Sequence, residues 1–88
     1  MDLYKEIENC FPLVEKQFTH ESLLEFKNTP ISDLYLYHFG LGAWIRNNLL
    51  YPKENHLYDL FILNGIKHPD EMPSLIITKF YFYITEKT

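Results

Sequence analysis

The chain has 88 residues and a net charge of −4, and its 47% hydrophobic share includes seven Phe, seven Tyr and one Trp. That length admits a single domain over residues 1–88, and the lone cysteine, Cys10, excludes an internal disulfide and a cysteine-based zinc site. Lys and Arg are scattered singly, without the basic field that nonspecific nucleic-acid binding needs, so no nucleic-acid partner is expected.

In chain order, Asp2 can cap a first helix whose apolar stripe is Leu3, Ile7 and Cys10, with Pro12 limiting it. Leu13, Val14 and Phe18 follow in a short apolar segment of either type. Thr19 is placed as the cap of a helix over 20–27, with Leu23, Leu24 and Phe26 facing inward and Asn28 ending it. The third helix is the longest. Thr29 or Ser32 can cap it, Pro30 fits a first turn, and Leu34, His38, Leu41 and Ile45 share one stripe. Gly40 and Gly42 each lower helix propensity by about 1 kcal/mol relative to Ala, which predicts close approach of another backbone there. Tyr51-Pro52 stops the segment.

Glu54 or Asn55 begins a fourth helix carrying Leu57, Leu60, Phe61 and Asn64. Gly65 stands where a left-handed residue closes it, and Ile66 supplies the accompanying apolar contact. Residues 75–85 are rich in β-formers and taken alone suit a strand. However, Ser74 can cap, and Ile76, Phe80, Tyr83 and Ile84 make a helical stripe, while no other segment offers a partner strand. The expected fold is all-α, four to five helices in one compact domain; the alternative is α+β with a C-terminal strand at 75–85.

The N-terminus lacks the basic flank and apolar run of a secretory signal, and no apolar run approaches the ~20 residues of a membrane span. A cytoplasmic protein without membrane contact is expected.

Two strings carry a resemblance: Phe39-Gly40-Leu41-Gly42-Ala43-Trp44-Ile45-Arg46-Asn47-Asn48, and downstream His68-Pro69-Asp70-Glu71-Met72. Together they resemble a small bacterial domain family of unknown function, with a Gly-Leu-Gly-x-Trp-Ile-Arg-Asn-Asn core and a His-Pro-Asp-x-Met-Ser turn before a closing helix. The likeness covers about the second two-thirds of the chain. It departs at Leu49-Leu50-Tyr51, where such sequences often carry further Trp, and at Pro73, which intervenes before Ser74. It implies the helical scaffold and no activity.

Arg46, Asn47 and Asn48 have two readings. One is a recognition fork for a carboxylate, phosphate or backbone strand. The other has Arg46 reaching Asp70 and so tying the long helix to the turn before the last one, with an Asn capping free carbonyls. In that second reading Gly40, Gly42, Trp44, Arg46, His68, Pro69 and Asp70 form a structural motif. The histidines show no zincin spacing, the serines suit helix starts, and Gly40-Leu41-Gly42 lacks the pattern of a phosphate loop. No catalytic residue, metal or cofactor is therefore expected. The aromatic surplus should bring tyrosines to the surface, where they favour protein contacts. The expected function is noncatalytic binding of another protein, an immunity- or antitoxin-like inhibitor of a partner that could be a basic toxin domain, using Arg46, Asn47, Asn48, Tyr51, Tyr58 and Asp70. The alternatives are a small-anion or enzymatic site around Arg46, Asn47, Asn48, His68 and Asp70, and a homo-oligomeric structural module.

Overall fold

A computed structural model describes residues 2–52, 54 and 56–86. Every regular element among them is helical, and residues 75–85, the strand of the alternative reading, lie within a helix.

Helix α1 (Leu3–Asn9) opens on Asp2, whose carboxylate accepts the Tyr4 N–H at 3.1 Å. Cys10 is the hinge into α2 (Phe11–Glu15). Pro12 sits in the first turn of α2, where an amide proton would have no helical partner, so it starts this helix rather than merely limiting the one before. Helix α3 (His20–Lys27) begins with a reciprocal cap: Thr19 Oγ1 accepts the Ser22 N–H at 3.0 Å, and Ser22 Oγ accepts the Thr19 N–H at 2.8 Å. Phe26 is its one fully buried side chain; Leu24, expected inward, is exposed.

The central segment, residues 31–50, is one continuous right-handed rod of changing pitch. It opens as a 3-10 helix (Ile31–Tyr37), widens to π geometry at His38–Gly42, passes through the short α4 (Ala43–Ile45) and ends in a second π turn (Arg46–Leu50). Pro30 holds the N-cap position, so neither Thr29 nor Ser32 caps it. The Thr29 hydroxyl instead donates back to the Glu25 carbonyl at 2.8 Å.

Helix α5 runs Leu57–Leu63, later than the expected start at Glu54 or Asn55; Asn55 lies outside the described residues. Its closing turn is as expected. Gly65 has φ 84, its N–H donates to the Ile62 carbonyl and the Ile66 N–H to the Phe61 carbonyl, both at 3.0 Å. Ile66 packs against the core.

Helix α6 (Glu71–Glu86) buries Met72, Ile76, Phe80 and Ile84, four positions spaced by four. A β-rich composition yields here because this stripe has a helical core to meet and no strand to pair with. Ser74 lies inside its first turn, where its hydroxyl donates to the Asp70 carbonyl at 3.1 Å rather than capping.

The core forms where α6 crosses the N-terminal helices. Phe80 is fully buried, with Phe11 and Phe26 at 5.7 Å and Phe18 at 5.9 Å between ring centroids. Full burial of one such side chain contributes about 1.5–3 kcal/mol before entropy is subtracted. Tyr81 adds a directional tie: its hydroxyl donates to the Thr29 carbonyl at 2.8 Å across 52 positions of sequence. On the outside of α6, Lys79 Nζ lies 4.1 Å from the centroid of the Tyr4 ring. Helix α6 also packs along the first half of the central segment, while α5 packs on its second π turn and on α1.

Candidate functional site

The central segment is amphipathic in an unusual sense. Its inner side buries Leu34, Gly42, Ile45, Leu49 and Leu50. Its outer side is not polar: Tyr35 is 68%, Leu36 61% and Phe39 85% exposed. Scattered apolar residues on a surface are ordinary, whereas contiguous ones need a reason. These three fall within five residues of one another on the segment. Ile31 and Tyr35 line one shallow cleft with His38, and Leu36 lines another with Leu24, which is itself exposed. Glu25 and Asp33 border that second cleft, and no Lys or Arg occurs between Lys27 and Arg46.

Gly40 belongs to the same outer side. A Cβ built there meets nothing within 4 Å, and its backbone lies inside a right-handed π turn. No backbone of another described element comes within 4 Å of that position, contrary to the expectation from sequence. At Gly42, which is buried, a Cβ would lie 3.5 Å from His38 Nδ1 and 3.8 Å from Arg46 Nη1, an ordinary contact with side chains rather than with another helix.

The expected tie from Arg46 to Asp70 is absent among the described residues. Asp70 instead faces His38, Nε2 to Oδ1 at 3.8 Å, a solvated pair of small energetic weight. Arg46 Nη1 is sealed from solvent without a hydrogen-bond partner. The reason is positional: His38 and Arg46 flank Gly42 on one side of the segment, and the imidazole occupies the position nearest Asp70. Asn47 is exposed, and Asn48 donates from Nδ2 to the Trp44 carbonyl at 2.9 Å, a bond one turn back inside the segment and not to a carbonyl at its end. Trp44 packs partly buried against the core.

The His68-Pro69-Asp70 turn does shape the entry to α6. His68 Nδ1 accepts the Asp70 N–H at 3.2 Å, and the Glu71 N–H donates to the His68 carbonyl at 3.1 Å. His68 and Asp70 line a cleft with Ile66, Glu71, Ser74 and Thr78, to which Arg46 and Asn47 do not contribute. Tyr51 and Tyr58 meet elsewhere, in a cleft between the end of the central segment and the start of α5.

Residues 5–83 match the model of a family described as a domain of unknown function, DUF6794. The chain belongs to the DUF6794 family. Comparison with curated proteins and with solved structures gave no match. The DUF6794 match begins within α1 and ends within α6, so the outward face, the Arg46 region and the His-Pro-Asp turn all lie inside the family unit.

No group of three or more His, Cys, Asp or Glu among the described residues could hold a metal ion. The half-buried Cys10 thiol donates to the Glu6 carbonyl at 3.3 Å; burial, and secondarily the Glu6 charge, push its pKa up. No helix among the described residues is long and apolar enough to cross a membrane.

The outward face was only partly legible from sequence. Surface aromatics were expected as tyrosines, whereas Leu36 and Phe39 contribute as much. The signal that could have found them is their position opposite Leu34, Leu41 and Ile45 on the same helix.

Proposed function

We propose that this protein is a noncatalytic, cytoplasmic protein-binding domain, an immunity- or antitoxin-like inhibitor that neutralises a basic toxin-type partner by occluding it. The reading rests on the outer side of the central segment. An 85%-exposed Phe on a formed helix gains little from folding, so its apolar surface is available to association. Tyr35, Leu36 and Phe39 provide the apolar centre that hot-spot residues occupy in interfaces. Glu25 and Asp33 at the margin, the lack of Lys and Arg from residue 28 to 45, and the net charge of −4 favour a basic partner.

The test is co-expression with the product of the adjacent reading frame, followed by affinity measurement with Leu36→Ser and Phe39→Ser. Both residues are exposed, so the variants should keep the wild-type melting temperature. A bound partner should be lost with each substitution by about 30-fold or more, the range of an interface hot spot. A complex that tolerates both substitutions refutes the assignment of this face. Sedimentation of the free chain as a dimer that either substitution dissociates would assign the face to self-association instead.

A further inference from the structure

A second cleft, apart from the outer face, has its own chemistry. It lies where the central segment ends and α5 begins, encloses about 610 Å³ and is lined by Leu50, Tyr51, Pro52, His56, Tyr58 and Asp59. The described lining residues combine an apolar floor (Leu50, Pro52), two phenol rings and one carboxylate, and none of them is Lys or Arg. The Asp59 carboxylate makes no ion pair among the described residues, and Tyr51 presents more than half of its surface to solvent. His56 shapes the entrance in left-handed backbone at φ 57, a conformation that strains a residue with a side chain and persists only where the surrounding loop dictates it.

We infer that this cleft binds an alkylguanidinium or alkylammonium group. An aliphatic stem would lie on Leu50 and Pro52, the cationic head would meet the faces of Tyr51 and Tyr58, and Asp59 would supply the counter-charge. Each component is ordinary chemistry for a positive side chain or amine: rings attract cations through their quadrupole, and a carboxylate pairs with them. The molecule uses the first of these elsewhere, where Lys79 sits over the ring of Tyr4. An anion would find one carboxylate in the cleft and no fixed positive charge among the described residues. The inference is independent of the docking face and does not require that a toxin be the partner.

The experiment is an NMR titration of the full chain with ethylguanidinium, with ethylurea as the neutral probe of the same shape. Ethylguanidinium should shift the resonances of Tyr51, Tyr58 and Asp59 saturably, and ethylurea should bind at least about fivefold more weakly. Asp59→Asn and Tyr51→Leu replace exposed groups and should each weaken the cation about two- to fivefold, with the fold unchanged by circular dichroism. N-acetyl-arginine amide and putrescine then separate the sources. Tighter binding of the former assigns the cleft to a protein's side chain, and tighter binding of the latter to a free amine; both support a cation site. Equal response to ethylurea, shifts that map elsewhere, or no saturation with any cation would overturn it.

Discussion

Replacing Arg46 with Met should make the protein more stable. Arg46 Nη1 is buried without an acceptor, and the guanidinium makes no ion pair among the described residues. Leaving a buried donor unsatisfied costs about 1–3 kcal/mol, and more when the group is charged. Met retains an unbranched aliphatic stem, has nearly the same helix propensity, and brings no donor to the place beside Gly42 that Nη1 occupies. The expected gain is about 1–2 kcal/mol, since part of the guanidinium still reaches water in a half-buried residue. For a domain of this size that corresponds to a rise in Tm of about 4–8 °C per kcal/mol. Urea unfolding followed by circular dichroism measures it, with an unchanged m-value showing that the native and denatured states remain comparable. A companion cycle of Arg46→Ala and Asp70→Ala should be additive to within about 0.5 kcal/mol, because Asp70 faces His38. A loss of 1 kcal/mol or more in Arg46→Met, or strong coupling in the cycle, would show that the guanidinium finds a carboxylate in solution and would refute the reasoning.

Three further expectations concern stability. Gly40→Ala should stabilise by about 1 kcal/mol, because a Cβ there meets nothing and the backbone is helical, whereas Gly65→Ala should destabilise by about 1 kcal/mol, because φ is +84; denaturant midpoints measured side by side check the opposite signs. Tyr81→Phe removes the bond to the Thr29 carbonyl and should cost about 1 kcal/mol in the same assay. Cys10 holds its proton more tightly folded than unfolded. Unfolded chains therefore release it first, and stability should fall as pH rises above 9.0, the ordinary value of the thiol. Cys10→Ala should flatten that decline, which thermal melts across the alkaline range will show; an identical decline in both proteins assigns it to other groups.

Local signals were read well from sequence because their partners are a few residues away. The Asp2 cap, the Thr19 cap and the Gly65 closure each depend on one turn of backbone, and all three occur. The Ser22 return bond, which the sequence reading did not anticipate, is equally local. What sequence left open depends on neighbours far along the chain. Residues 75–85 are helical because Phe80 meets Phe11, Phe18 and Phe26, a fact absent from their own composition. Thr29 loses its expected capping role because its hydroxyl turns back to Glu25 while its carbonyl receives Tyr81. Arg46 and Asp70 matched in charge and in helical placement, but His38 had an equal claim on Asp70, and only geometry ranks two candidates. The outer side of the central segment escaped for another reason: apolar residues all around a helix predict burial all around, and only the stripe of Leu34, Leu41 and Ile45 marks Leu36 and Phe39 as lying opposite the core side.

The position of Phe80 sets a timetable for the growing chain. Translation delivers Phe11, Phe18 and Phe26 early, but the ring that joins them, Phe80, is made 54 residues after Phe26. At about 5–20 residues per second, the N-terminal helices must wait several seconds with their aromatic faces open. Tyr81 follows immediately and clamps the loop at Thr29, so core closure and loop closure arrive together. The nascent chain is therefore most exposed to aggregation and proteolysis just before α6 leaves the ribosome, and a stop codon anywhere ahead of residue 80 would release a product with no centre to fold around.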